Sequence, residues 1–319
     1  MNSDRMAHGE RDAHRGHGEH DGDRLLERWQ ALLARQPHLH IRQAATALQV
    51  PEAALLASRV GTGAVRLAPR LREMLAGIEQ WRKLFVVTPN RLGVSIAILN
   101  AQPLQEYGDP NAPLLLLGDQ HRIVIDTKRV HACYLFEDHD VHGHSLSLCW
   151  FDEHGNGLGK LFLRSRRGQE FAQPGLMAFA LPEQSQRFVA RALAASRVND
   201  HRTATPCDRE HAARLARAAL LDASRFQAVE LSMTGGALTS TYQGTSPACS
   251  AQAQALHLVA AGCKLHLRLA PARSACAVRT LDGRAGLRVD TVDGSLSIVP
   301  CLDAPAGQRW LDALLEQNS

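Results

Sequence analysis

HRIVIDTKRVHACYLFEDHDVHGHSLSLCWFDEHGNGLGKLFLR, from His121 to Arg164, and CKLHLRLAPARSACAVRTLDGRAGLRVDTVDGSLSIV, from Cys263 to Val299, read as two versions of one pattern. Each opens with a basic residue before alternating apolar positions: Arg122 with Ile123 and Ile125, then Lys264 with Leu265 and Leu267. Each carries an Ala-Cys pair inside a strand-like run, Ala132-Cys133 and Ala275-Cys276. Each closes on an acidic, glycine-tipped turn, Asp152 to Gly155 and Asp290 to Gly294. A strand meander written twice predicts two similar sheets facing a shared cleft, and clefts between repeats hold ligands.

Working outward, the alternation continues upstream through Leu84–Thr88, Gly93–Leu99 and Leu114–Leu117. Downstream it returns at Phe226–Met233, Ala237–Gln243 and Ala255–Val259. Breaks such as Pro89-Asn90, Asp119-Gln120 and Gly143 are short, which suits antiparallel neighbours. Helical periodicity marks Leu25, Leu26, Trp29, Leu32 and Leu33, then Ile41–Leu48, Pro51–Ser58, Leu67–Trp81, Glu183–Ser196, His211–Ala223 and Gly307–Leu315. The expected class is α+β: two structural repeats, each a large antiparallel β-sheet meander with flanking helices. Residues 1–22 form a polar, His-rich tail with little to bury, expected to stay disordered. Residues 23–172 form the first repeat, 173–210 a connector and 211–319 the second repeat.

Composition narrows the function classes. The chain has 319 residues, 45% of them apolar, enough to build a substantial core. A net charge of +4 without a long basic block argues against a nucleic-acid stripe. Seven cysteines without regular spacing suit a reducing, cytoplasmic setting. No apolar run reaches spanning length, so membrane insertion is not expected. The opening residues lack the apolar core of a secretory leader.

IRQAATALQVPEAALLASRVG (residues 41–61) has the outline of a helix-turn-helix, but PEAALLAS lacks the Arg, Lys, Asn and Gln that read bases or hold phosphates. It is read as a helical cap on the sheet. His139, His142 and His144 in EDHDVHGHS could ligate a metal, yet a hairpin tip collects polar residues anyway. His131, His257 and His266 are read as sheet histidines. No paired carboxylates, phosphate loop, nucleophile elbow or HExxH is present, so no catalytic residue is assigned.

Several segments together resemble the bacterial haemin-degrading and haem-trafficking factors of the HemS/ChuX type. They are residues 41–61, the VVTPN turn at Val86–Asn90, and HSLSLCWFDEHGNGLGKLFLR (144–164). In the second half they are Gly235-Gly236 before Tyr242 and Gly244, CKLHLRL (263–269) and SACAVR (274–279). The resemblance implies haem as the cofactor or cargo and a cytoplasmic role with imported haem, as a carrier or a degrading enzyme. The implied partners are haem and a haem uptake transporter or haem oxygenase. The family's axial histidine lies in an Asp-x-His-x-Phe-Phe helix that this chain lacks; the nearest histidines are His201 and His211 of CDREHAARLAR. Arg202 and Arg209 are the cations nearest to hand for propionates. The family's distal arginine falls at or near Asn100, and its second-half basic and proline residues are replaced by Thr280 and Leu281. Its C-terminal Tyr-Gly-Gln-Arg has become IVPCLDAP (298–305). The pocket is therefore expected to be divergent, and a non-haem interaction or regulatory role on the same scaffold is the alternative.

Overall fold

A computed structural model describes residues 22–100, 102–105, 109, 112–140, 143–190, 206–252 and 255–318. The chain opens with helix α1 over residues 22–35, then α2 (Ile41–Leu48) and α3 (Glu52–Ser58). Trp29 of α1 closes over Ala44, Ala45 and Leu55, so these three helices share a small core of their own. The helix-turn-helix outline is spent on packing. In α3, Ala53, Leu56 and Ala57 are buried against Tyr134, Phe136, Cys149 and Phe151 of the sheet.

Among the described residues sixteen strands follow, all paired antiparallel. The first half supplies β1 (Ala64–Leu67), β2 (Lys83–Asn90), β3 (Gly93–Asn100), β4 (Leu114–Gly118), β5 (His121–Ile125), β6 (Ala132–Asp140), β7 (Gly143–Phe151) and β8 (Gly157–Leu163). Helix α4 (Leu71–Met74) interrupts after β1, and α5 (Arg166–Met177) closes this half. Helix α6 (Pro206–Ala223) opens the second half. Then come β9 (Ala228–Gly235), β10 (Leu238–Thr245), β11 (Ala248–Gln252), β12 (Ala255–Ala260), β13 (Cys263–Arg268), β14 (Ser274–Arg279), β15 (Ala285–Asp290) and β16 (Gly294–Pro300), with α7 (Ala304–Asn318) last.

The two large antiparallel sheets with flanking helices agree with the expected class, and the two quoted segments occupy matching places. One sheet runs β1-β6-β7-β8-β2-β3-β13-β12-β11, the other β14-β15-β16-β9-β10-β5-β4. Strands β6-β7-β8-β2-β3 correspond to β14-β15-β16-β9-β10. In each sheet the next hairpin comes from the opposite half: β13-β12 follows β3, and β5-β4 follows β10. The halves have thus exchanged their middle hairpins at the level of backbone hydrogen bonds.

Side chains follow a different partition. Leu114, Leu116, Ile123 and Ile125 of β4 and β5 pack with Leu84, Val86, Ala97, Leu135, Leu148 and Trp150, almost all from their own half. Leu256, Leu258, Leu265 and Leu267 of β12 and β13 likewise pack with Val229, Leu231, Leu287 and Ile298. Alternation explains how one hairpin serves both ends. The alternate side chains fill the home core while the strand edge hydrogen-bonds to the other half.

This arrangement narrows the expected cleft: around Asn90 the meeting of the halves is filled. Asn90, 2% exposed, ends β2 and reaches across. Its Nδ2 donates to the carbonyls of Thr234 and Ser295 at 3.1 and 3.2 Å, while Oδ1 accepts from the amides of Leu92 and Gly93 at 2.9 and 3.3 Å. Gly235 lies against it; an added Cβ would land on the Pro89 carbonyl oxygen. Ala237 and Leu238 complete the first half's core.

Three local expectations also change. The helix expected over Leu67–Trp81 is split into a strand end, α4 and a 3-10 turn over Ile78–Trp81. Pro69 disfavours helix before it, and Gly77 takes φ 76°. Residues 183–190 of the expected Glu183–Ser196 helix are irregular, and the remainder lies outside the described residues. Strands β1 and β11 and helix α5 were not foreseen: ACSAQ and AVRL are short, with weak alternation, and α5 carries Pro174 inside it.

Candidate ligand site

Helix α6 buries Ala212, Leu215, Ala216, Ala219, Leu220 and Ala223, spacings that draw one stripe along a helix. That stripe packs into the second half's core. Its opening turn therefore stands at the edge of the core, beside the loops that end the strands. There Arg209 lines a cavity of about 140 Å3 with Arg91, Arg273, Ala270, Pro271 and Val292. Arg91 comes from the β2–β3 turn, Arg273 from the β13–β14 loop and Val292 from the β15–β16 turn. Three arginines, one from the first half and two from the second, thus line one small space.

The walls are held by hydrogen bonds, two of them between the halves. The Arg91 amide donates to Asp293 Oδ1 at 3.0 Å. The Arg268 amide donates to the Leu92 carbonyl at 2.6 Å, and the Arg273 amide to the Asp290 carbonyl at 2.9 Å. Arginine stays charged at any working pH. Three fixed cations on a small, partly enclosed volume favour an anion, and the guanidinium fork matches a carboxylate in particular.

Of the sequence candidates, Arg209 reaches this cavity. His211 is half-buried on the same helix, and its Nδ1 lies 3.4 Å from Arg214 Nη2. Two residues of helix are about 200° of rotation, so Arg209 and His211 leave α6 on opposite sides, and His211 is not among the lining residues. His201 and Arg202 lie outside the described residues. Sequence reasoning missed Arg91 and Arg273. Arg91 stood directly after the quoted VVTPN turn, but nothing local ties it to Arg273, 182 positions away.

A second cavity, about 360 Å3, opens between α2, α3 and the β7–β8 turn. Its main cation is already engaged: Arg42 donates to Glu52 Oε1 at 2.8 Å and to the carbonyls of Asn90 and Gly157 at 3.3 and 3.1 Å. His144 places Nδ1 2.7 Å from Gln169 Oε1, His142 lies outside the described residues, and no side-chain position is described for His139. Among the described residues no group of three or more His, Cys, Asp or Glu side chains could hold a metal ion. Burial pushes the Cys263 thiol up to about 12 and raises Cys133 as well, where Cys149 adds to the effect. These thiols therefore remain protonated and unreactive.

Residues 49–173 match the model of the haemin-degrading HemS.ChuX domain. No curated protein matches the chain. Among solved structures, holo-PhuS, a heme-binding protein from Pseudomonas aeruginosa, aligns with a TM-score of 0.73 at 19% identity, over 88% of this chain and 94% of that one. ChuS, a heme degrading enzyme of Escherichia coli O157:H7, aligns with a TM-score of 0.71 at 18% identity, again over 88% and 94%. The first half is thus similar to the HemS.ChuX domain, and the chain as a whole shares the fold of PhuS and ChuS.

Proposed function

We propose that this protein binds haem and passes it on as a cytoplasmic carrier, its cargo held by the carboxylate edge over Arg91, Arg209 and Arg273. The observation that carries this reading is the convergence of three arginines from both halves on one cavity. At about 140 Å3 the cavity suits a carboxylate edge and not a whole tetrapyrrole, since whole-ligand pockets run to roughly 300–1,000 Å3. When bound, haem itself supplies the iron and its redox chemistry. The chain supplies the cations and an imidazole; His201 and His211 are the candidates, His211 leaving α6 on the side away from Arg209. The likeness to a protein described as heme-binding and to one described as heme degrading supports the ligand class. Carriage ranks above degradation because the cavity offers charge recognition and no assembled oxygen-activating group. No described helix is long and apolar enough to cross a membrane.

Titrating haemin into the purified protein tests this directly. A saturable shift of the Soret band is expected. Arg91→Ala, Arg209→Ala and Arg273→Ala each weaken affinity about tenfold, equivalent to about 1.4 kcal/mol. The spectrum changes with whichever of His211→Ala and His201→Ala removes the donor. No Soret shift at all refutes the proposal. Loss of the band with ascorbate, in the presence of catalase, replaces carriage with degradation.

A further inference from the structure

Strands β12 and β13 pair in a register that sets His257 directly opposite His266. Leu256, Leu258, Leu265 and Leu267 on the same strands point into the core. Alternation therefore turns both imidazoles onto the outward face of the nine-stranded sheet. Their Nδ1 atoms stand 2.7 Å apart, with ring centroids 4.9 Å apart and planes at 76°. At that distance one Nδ1–H donates and the other nitrogen accepts, so the pair shares a single proton and keeps one lone pair.

We propose that His257 and His266 form a two-nitrogen site for a divalent transition ion, Cu2+ or Ni2+ ahead of Zn2+, which takes both Nδ1 lone pairs once the Nδ1 proton of the donating ring has moved to its own Nε2. Metal–imidazole bonds of about 2.0–2.1 Å spanning 2.7 Å give a bite of about 80–85° at the metal. That is close to the right angle between neighbouring ligands in tetragonal or octahedral coordination. A tetrahedral ion needs the nitrogens about 3.3–3.4 Å apart. Imidazole ligands and the general order of divalent affinity favour copper further. Lys264 and Arg268 lie on the same outward face by alternation, and Ser250 stands opposite His257 on β11. The two cations favour an anion in the ion's open positions. A haem iron is excluded from taking both nitrogens, because its axial ligands bind opposite faces of the ring. Neither histidine is among the residues lining the arginine cavity.

Metal-free, full-length protein titrated with Cu2+ by calorimetry, with electron paramagnetic resonance of the same samples, tests the assignment. The wild type is expected to bind one equivalent more than His257→Ala or His266→Ala, and the double variant to lose no more than either single one. Comparison at equal chain length cancels copper held by the N-terminal histidines. Ni2+ is expected to raise the melting temperature of the wild type and not of the variants. Equal stoichiometry in the wild type and both variants, with no nitrogen coupling lost from the spectrum, overturns the site. Haemin titration of the same variants is expected to match the wild type, which keeps this result separate from the haem reading.

Discussion

Replacing Asn90 by Ala removes the bridge where the two halves meet. The side chain is 2% exposed, and all four of its hydrogen bonds end on backbone groups: two carbonyls of the second half and two amides of its own turn. A net 0.5–1.5 kcal/mol for each bond gives a loss of about 2–6 kcal/mol. The true cost lies in the upper part of that range, because Ala leaves the carbonyls of Thr234 and Ser295 short of a partner in a site closed to water. At about 4 kcal/mol, the melting temperature of a chain this size falls on the order of 10 °C. Urea unfolding followed by circular dichroism measures it. Arg91→Ala, one position on and exposed, serves as the control and is expected to stay within about 0.5 kcal/mol. An Asn90→Ala midpoint within about 1 kcal/mol of the wild type would refute the reasoning. The junction would then be held by strand pairing and its other contacts, without need of the Asn90 bridge.

Ile123→Ala empties a fully buried position on the exchanged hairpin and is expected to cost about 2–5 kcal/mol, read from the same urea curves. Gly235→Ala drives a Cβ into the Pro89 carbonyl oxygen, so about 1–3 kcal/mol is lost although the substitution adds one carbon. His121 is buried with Nε2 2.7 Å from the Gly262 carbonyl, which assigns Nε2 as the donor, and burial holds its pKa below the usual value. Its neutral form is the one that folds. Its contribution is therefore present above about pH 6.5 and is lost as pH falls from there through the lowered folded pKa. His121→Gln is expected to flatten that acid-side loss in a pH series of melting temperatures, and an unchanged slope would assign it elsewhere.

How much was legible in the sequence differs between elements. The alternation of β13 appears in its burial as strictly as in its residues, because a strand buried on one face must alternate. Helix α2 was legible to its end residues, where Gln49 takes φ 57°. The helix over 67–81 was overread, since periodicity alone does not register the breaks imposed by Pro69 and Gly77. The candidate site was half legible. Arg209 was named from its place in the connector, whereas Arg91 was passed over as one more turn residue. His257 and His266 were recognised as sheet histidines, but their mutual distance depends on the register of two strands, which no single strand reveals.

The sequence by itself determined which positions turn inward, where the chain reverses and that one meander is written twice, because those properties reside in local alternation and turn chemistry. Only the tertiary structure decided that the halves exchange hairpins, that Asn90 bridges their junction, and that three distant arginines line one cavity. Strand edges carry the same backbone groups whatever their residues, so which edge meets which is settled by how both cores close together and not by any stretch of chain alone.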